Sequence, residues 1–219
     1  MKSDIKNIVC FDFDGTLTRH DSMIEMIAAH RGKWGLVWGL LRELPLLVLM
    51  QLHMYSNQRT KERLLGYAFG GETLDVMRRA FEKVKAQREA RVAHFSEYWN
   101  AITVQALAEA LEAGDRVYVI SASPVEWVRL YMAELMGRIA PGYGADAVTI
   151  LGSQLELKDG RITGRLVGRN CYGEEKVNRL VAALPDLKDH REDYHVTHYG
   201  DSRGDYALFN FADEAIIVK

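Results

Sequence analysis

With only two cysteines, Cys10 and Cys171, the chain has no disulfide framework to staple it. Cys10 sits in an apolar run and reads as a small core residue. Neither charge sign dominates: 28 basic residues face 30 acidic ones, a net charge of −2. No global basic field marks a nucleic-acid partner, so none is expected. The start, Met1-Lys2-Ser3-Asp4-Ile5-Lys6, lacks the apolar core of a signal peptide, and the expected setting is cytoplasmic. Internal repeats and low-complexity tracts are absent. The most apolar stretch, Trp34 to Met50, carries Arg42, Glu43 and Pro45. A bilayer span needs about 20 apolar residues with few or no charges, so a spanning helix is not expected. What remains is 219 residues, enough for a large core or for a domain with an insertion.

The most informative stretch is Ile8-Val9-Cys10-Phe11-Asp12-Phe13-Asp14-Gly15-Thr16-Leu17. Its apolar half reads as a buried strand of a parallel sheet, ending abruptly in two acids and a glycine. Ligands of open α/β sheets sit beyond the carboxyl ends of strands, where these acids fall. Residues two apart on a strand share a side, so Asp12 and Asp14 project into one crevice if extended geometry persists through Phe13. Two such close carboxylates require a cation or a shared proton. A hard divalent ion such as Mg2+ suits an ionised Asp12, leaving Asp14 protonated as a proton donor. Gly15 permits a tight turn whose free N–H groups cradle an anion, and Thr16 is a plausible cap for the segment that follows.

This string resembles the first motif of the haloacid-dehalogenase superfamily of phosphotransferases. The resemblance implies a Rossmann-like, three-layer α/β core and three further motifs in fixed order. Arg116-Val117-Tyr118-Val119-Ile120 is an apolar strand closing on Ser121-Ala122-Ser123-Pro124. Ser121 matches the second motif, which implies a hydroxyl donated to a phosphoryl oxygen; Ala122 goes with it to the substrate, and Ser123 is placed to cap the next helix. The third motif is a lysine near a helix start. Lys176 in Cys171-Tyr172-Gly173-Glu174-Glu175-Lys176 matches it, although the phosphoserine phosphatase pattern puts the lysine nearer Tyr172; Lys158 is the fallback. His195-Val196-Thr197-His198-Tyr199 then leads into Gly200-Asp201-Ser202-Arg203-Gly204-Asp205, the fourth motif, GDxxxD. His20, His195 and His198 show no metal-ligand spacing and read as structural or substrate-neighbouring.

Between the first two motifs, helical spacing runs from about Asp21 or Ser22 to Glu112. Pro45 is expected to divide the 34–52 apolar segment into two short helices. Leu74, Met77, Phe81 and Val84 form a stripe whose opposite face carries Arg78, Arg79, Lys83, Lys85, Arg88 and Arg91 and reads as a solvated face. Ile102, Ala106, Leu107, Ala110 and Leu111 form another stripe, stopped by Gly114. Asp159-Gly160 marks a hairpin, and Ala147 to Ile150 and Ala215 to Val218 read as strands. The resemblance is to the phosphoserine phosphatase-like branch with a helical cap, which implies residues 1–17 plus 113–219 as catalytic core and 18–112 as an inserted, all-helical cap.

The resemblance implies a Mg2+-dependent phosphomonoester hydrolase. Asp12 attacks phosphorus, Asp14 protonates the leaving oxygen and then serves water as a base, and Asp12, the Asp14 carbonyl and Asp201 hold the metal. Asp205 is a further ligand or fixes one in place; Gly15, Thr16 and Asp21 contribute to substrate binding. Because halide needs no proton, Asp14 argues for the leaving group of a phosphate ester or phosphoanhydride, with phosphomutase activity or a non-catalytic binding role as the alternatives. Phosphoserine phosphatases hold the substrate amine with a glutamate nine places after the nucleophile; Asp21 stands there, one methylene shorter, and DGT replaces DST. The substrate class left open is a small phosphorylated metabolite or a lipid phosphate such as phosphatidylglycerophosphate. Trp34 and Trp38 beside Arg31 and Lys33 allow peripheral membrane contact.

Overall fold

The computed structural model describes residues 5–51, 56–91, 94–144 and 146–218. Met1–Asp4 and Leu52, which bear on the expected N-terminus and apolar segment, lie outside them. The strands are β1 (Lys6–Phe11), β2 (Arg116–Pro124), β3 (Val148–Ser153), β4 (Leu155–Lys158), β5 (Arg161–Leu166), β6 (Tyr194–Gly200) and β7 (Glu214–Ile217). The helices are α1 (Ser22–Gln51), α2 (Asn57–Phe69), α3 (Leu74–Arg91), α4 (Phe95–Tyr98), α5 (Ala101–Glu112), α6 (Val125–Ile139), α7 (Glu174–Ala183), α8 (Asp186–Asp189) and α9 (Tyr206–Phe211).

Five strands form one sheet in the order β3-β2-β1-β6-β7, with β1 parallel to β2 and β6, and β6 parallel to β7. The central strand β1 is apolar on both sides because both are covered. Ile8 and Cys10 join Tyr118, Ile120, Leu180, Val196 and Leu208 in one buried cluster. Phe11 points the other way, and beyond it Phe13 packs edge-on against Trp99 and Tyr131. The sheet belongs to a compact unit of residues 1–20, 92–152 and 171–219.

A second unit comprises residues 21–91 and 153–170, a division drawn differently from the expected 18–112 insert. Backbone pairing explains the difference. Gly71 N–H donates to Ile162 C=O and Ile162 N–H to Glu72 C=O, each at 2.8 Å, so the β4–β5 hairpin extends the chain leaving α2. Its turn is the expected one, with Asp159 and Gly160 both at positive φ. Conversely, α5 is tied to the loop after β1: Asn100 N–H donates to Leu17 C=O at 2.9 Å and the Thr103 hydroxyl to Thr16 C=O at 2.8 Å.

Other expectations are corrected locally. The helix after Asp21 does not break at Pro45 but at Gly32, whose φ of 76° only glycine adopts freely. Proline removes one N–H and leaves the Leu41 carbonyl without its helical partner, yet Leu41 is exposed and the helix continues through Pro45. Arg88 is buried rather than solvated, because it stands seven residues after Phe81 and four after Val84, on the stripe itself. Ile102 is 76% exposed; Thr103, Val104, Leu107, Ala110 and Leu111 form the inner face of α5.

Gly164 (φ +87°) lies against Gly66, and a Cβ there would overlap the Gly66 backbone, whereas Gly168 (φ +72°) has open space around its missing Cβ. Gly168→Ala is expected to lose about 1–2 kcal/mol, the cost of the left-handed backbone alone. Gly164→Ala should lose about 1–3 kcal/mol more, because the α2–hairpin contact must also open. Urea unfolding of the two variants measures the difference.

Candidate active site

The carboxyl ends of β1, β2 and β6 and the start of α7 converge on Asp12. Its N–H donates to Tyr199 C=O at 2.9 Å, extending the β1–β6 pairing one residue beyond Phe11. The loop then closes tightly, with the N–H groups of Thr16, Leu17 and Thr18 all directed at Phe13 C=O. Gly15 (φ +78°) is packed against Asp201, whose carboxylate a Cβ at position 15 would overlap. Both the backbone angle and the space therefore demand glycine there.

Lys176 enters from the first turn of α7, whose preceding residue Gly173 has φ +61°. The lysine is 1% exposed, and its Nζ lies 2.9 Å from Asp12 Oδ1 and 2.6 Å from Asp205 Oδ1. Asp205 is held on all sides. Oδ1 also accepts from His198 Nε2 at 3.2 Å, and Oδ2 accepts from Ser202 N–H at 3.3 Å and its hydroxyl at 3.2 Å. Burial disfavours the Asp205 charge, but His198 and Lys176 outweigh it and hold this carboxyl well below the usual range. Burial also works against the Lys176 charge, and Asp12 and Asp205 more than restore it. Asp12 goes the other way: loss of hydration pushes it up to about 7, with Lys176 opposing and Asp205 adding to the rise. His198 is depressed by burial.

The second strand end brings serines. β2 continues through Pro124, so Ser121 lies inside the strand rather than after it. Ser121 Oγ accepts from Ser123 N–H at 3.0 Å, which leaves its own O–H free to donate elsewhere. Ala122 is half-buried between the two serines. Ser123 does not cap α6, whose N-terminus has no side-chain cap; its hydroxyl donates to Asp14 Oδ2 at 2.5 Å.

Asp12, Asp201 and Asp205 each offer a carboxylate oxygen, all within 4.8 Å of one another. Asp201 is pushed up by burial and by the Asp205 charge. Three carboxylates meet one ammonium, an excess of negative charge that a divalent cation with hard oxygen ligands would balance. The donor set therefore fits Mg2+, with Asp12 and Asp201 the freer ligands because the Asp205 oxygens already accept from Lys176, His198 and Ser202.

Thr16 is buried and does not cap α1; its hydroxyl has no hydrogen-bond partner among the described residues. Asp21, in the second unit, accepts from Ile24 N–H at 3.0 Å and caps α1, one of the two positions expected to open that helix. Ser123 and His198 act on the site's acids although only Ser121 was assigned a role there. Strand alternation marks both: Ser123 is two residues past Ser121, and His198 two past buried Val196.

The profile of the haloacid dehalogenase-like hydrolases matches residues 9–210. The chain belongs to this hydrolase family. It is 31% identical over 217 residues to Protein CicA of Caulobacter vibrioides, an alignment covering 94% of this chain and 83% of that protein. Among solved structures, a protein of unknown function from Bordetella pertussis Tohama I superposes with a TM-score of 0.72 at 22% identity, over 97% of this chain and 90% of that one. A phosphoserine phosphatase solved as a phospho-aspartyl intermediate analogue gives 0.58 at 18% identity, covering 97% and 86%. These likenesses place the hydrolase fold; the five-stranded parallel sheet carries it here.

Replacing Lys176 with methionine leaves two buried carboxylates without their cation, a loss of about 3–5 kcal/mol at pH 8. Without the ammonium both acids keep protons more tightly folded than unfolded, so the deficit should shrink as pH falls toward 5. Thermal unfolding of Lys176→Met and the parent across that range checks both sign and size.

Proposed function

We propose that this hydrolase is a Mg2+-dependent phosphomonoesterase that works through an aspartyl-phosphate on Asp12. The observation that carries the reading is the buried Lys176 bridging Asp12 and Asp205 beside Asp201. A carboxylate nucleophile must approach a phosphoryl group of like charge, and a fixed ammonium offsets that repulsion. In the first step a bond forms from an Asp12 oxygen to phosphorus, the bond to the leaving oxygen breaks, and Asp14 gives that oxygen its proton. In the second, Asp14 takes a proton from water, the water oxygen bonds phosphorus, and the Asp12–phosphorus bond breaks to release phosphate. The Ser121 hydroxyl, its lone pair occupied by Ser123 N–H, is left to donate to a phosphoryl oxygen. Asp12, Asp201 and the Asp14 carbonyl would hold Mg2+, whose charge would offset that of the phosphoryl oxygens.

Asp12→Asn is expected to lower kcat on p-nitrophenyl phosphate at least about 1,000-fold while the fold persists, because covalent catalysis loses its nucleophile. EDTA should abolish turnover in the parent and Mg2+ restore it. Unchanged hydrolysis by Asp12→Asn would remove the reading, and release of an isomerised ester rather than phosphate would replace it with a mutase.

A second reading concerns the substrate and rests on the outer face of α1. Gly35 and Gly39 turn inward onto Tyr67, whose hydroxyl donates to Gly35 C=O at 2.8 Å, and Glu43 is buried against Arg63. The opposite face is apolar and bare: Trp34 is 86% exposed and Trp38 66%, followed by Val37, Leu41, Leu44 and Val48. Every exposed charge described from Arg31 to Val48 is basic, namely Arg31, Lys33 and Arg42. Tryptophans flanked only by cations complement an anionic bilayer surface, and we assign this face to that surface and a lipid phosphate to the site. No helix among the described residues is long and apolar enough to cross a membrane, so the contact is with the surface.

The protein is expected to float with vesicles containing phosphatidylglycerol, more weakly with phosphatidylcholine alone, and Trp34→Ala/Trp38→Ala should abolish flotation. A concentration-dependent dimer lost in that variant, with no vesicle binding, would assign the face to a second copy instead. Equal activity on lipid vesicles and on short soluble esters would count against the lipid substrate.

A further inference from the structure

We infer that Ser123 is a positioning residue for the general acid–base Asp14, an inference that rests on the phosphomonoesterase reading. Three observations on the first unit converge on it. The Ser123 hydroxyl donates to Asp14 Oδ2 at 2.5 Å, the short end of the range for a hydroxyl meeting a carboxylate. Ser123 is buried, and its N–H is committed to Ser121 Oγ at 3.0 Å, so both serines are fixed by one another. Beneath them, Gly152 of β3 leaves no room for movement. A Cβ there would sit 2.9 Å from Ser123 O, 3.0 Å from Ser121 O and 3.0 Å from Val125 Cγ1. Arg179 completes the support by donating to Gly152 C=O.

The chemistry gives this contact a purpose. Asp14 must present one oxygen to the leaving group, give up a proton as the phosphorus–oxygen bond breaks, and take one from water in the next step. Free rotation of its side chain would exchange the two oxygens and spread the proton donor over several positions. With Oδ2 accepting from Ser123, the two carboxyl oxygens are no longer interchangeable, and the acid keeps one orientation through both steps. Ser121 thus serves the phosphoryl group and Ser123 the acid, two neighbours on the same side of one strand end with separate tasks.

The experiment compares a good leaving group with a poor one. p-Nitrophenolate departs with little need of a proton, whereas an alkoxide, as from glycerol 1-phosphate, cannot depart without one. Ser123→Ala is expected to lower kcat on the alkyl ester roughly 10- to 100-fold more than on the aryl ester, within the range general acid catalysis supplies. KM should hardly move, and Ser123→Thr, which keeps the hydroxyl, should restore most of the difference. Added to Asp14→Asn, Ser123→Ala should cost nothing further on the alkyl ester, since the two act as a unit. Equal losses on both esters, or additive losses with Asp14→Asn, would overturn the inference. Should Ser123→Ala fail to fold, Ser123→Cys carries the same comparison. These outcomes are distinct from failure of the phosphatase reading, which appears as undiminished turnover in Asp12→Asn.

Discussion

One lysine ammonium, taken almost wholly out of water and clasped between Asp12 and Asp205, is the constraint on which the rest of the catalytic unit is built. An isolated buried ammonium would shed its proton, and isolated buried carboxylates would acquire theirs. Together Lys176 and Asp205 remain charged, at a separation of 2.6 Å, with Asp12 drawn to the same ammonium. That arrangement joins three distant stretches: the end of β1, the first turn of α7 and the turn after β6. Asp205 in turn is fixed by His198 and Ser202, so the positive charge facing Asp12 has a rigid mount. Asp12, raised to about 7 beside a lysine held charged, is a carboxyl whose protonation depends on what else enters the site.

Backbone proximity supplies the other half of the architecture. At Gly15 and Gly152 the main chain runs against Asp201 and against the Ser121–Ser123 segment at distances no side chain permits. Removing a Cβ at each point lets loops from separate strands close on one another. The site is thus assembled less by long side chains reaching inward than by turns packed edge to edge.

Much of this was legible in the sequence because strand ends announce themselves. Apolar runs stopping at Asp12 and Ser121 are buried strands meeting polar turns, the run before Asp201 is marked by its Gly-Asp turn, and alternation then assigns sides. What escaped was decided by partners far away in the chain. Arg88 was read as solvated by its charge, although its spacing from Phe81 and Val84 put it inside. Pro45 was expected to break α1 on local grounds, yet an exposed neighbouring carbonyl costs little there, while Gly32 breaks it. The hairpin at 155–166 carries no sign in its own residues that it pairs with Gly71 and Glu72. Ser123 was given a local task, capping, and found a distant one at Asp14.

The order of strands across the sheet has a consequence for how the protein comes into being. β1 is central, yet its neighbour β6 begins only at Tyr194, well after β2 at Arg116. A nascent polypeptide leaving the ribosome therefore holds Asp12 on a strand with one open edge until β6 has emerged. The helical unit is likewise unfinished until the hairpin ending at Leu166 emerges. The helical unit is thus complete before β6 has begun, and the Lys176–Asp205 contact forms only once the turn after β6 is in place.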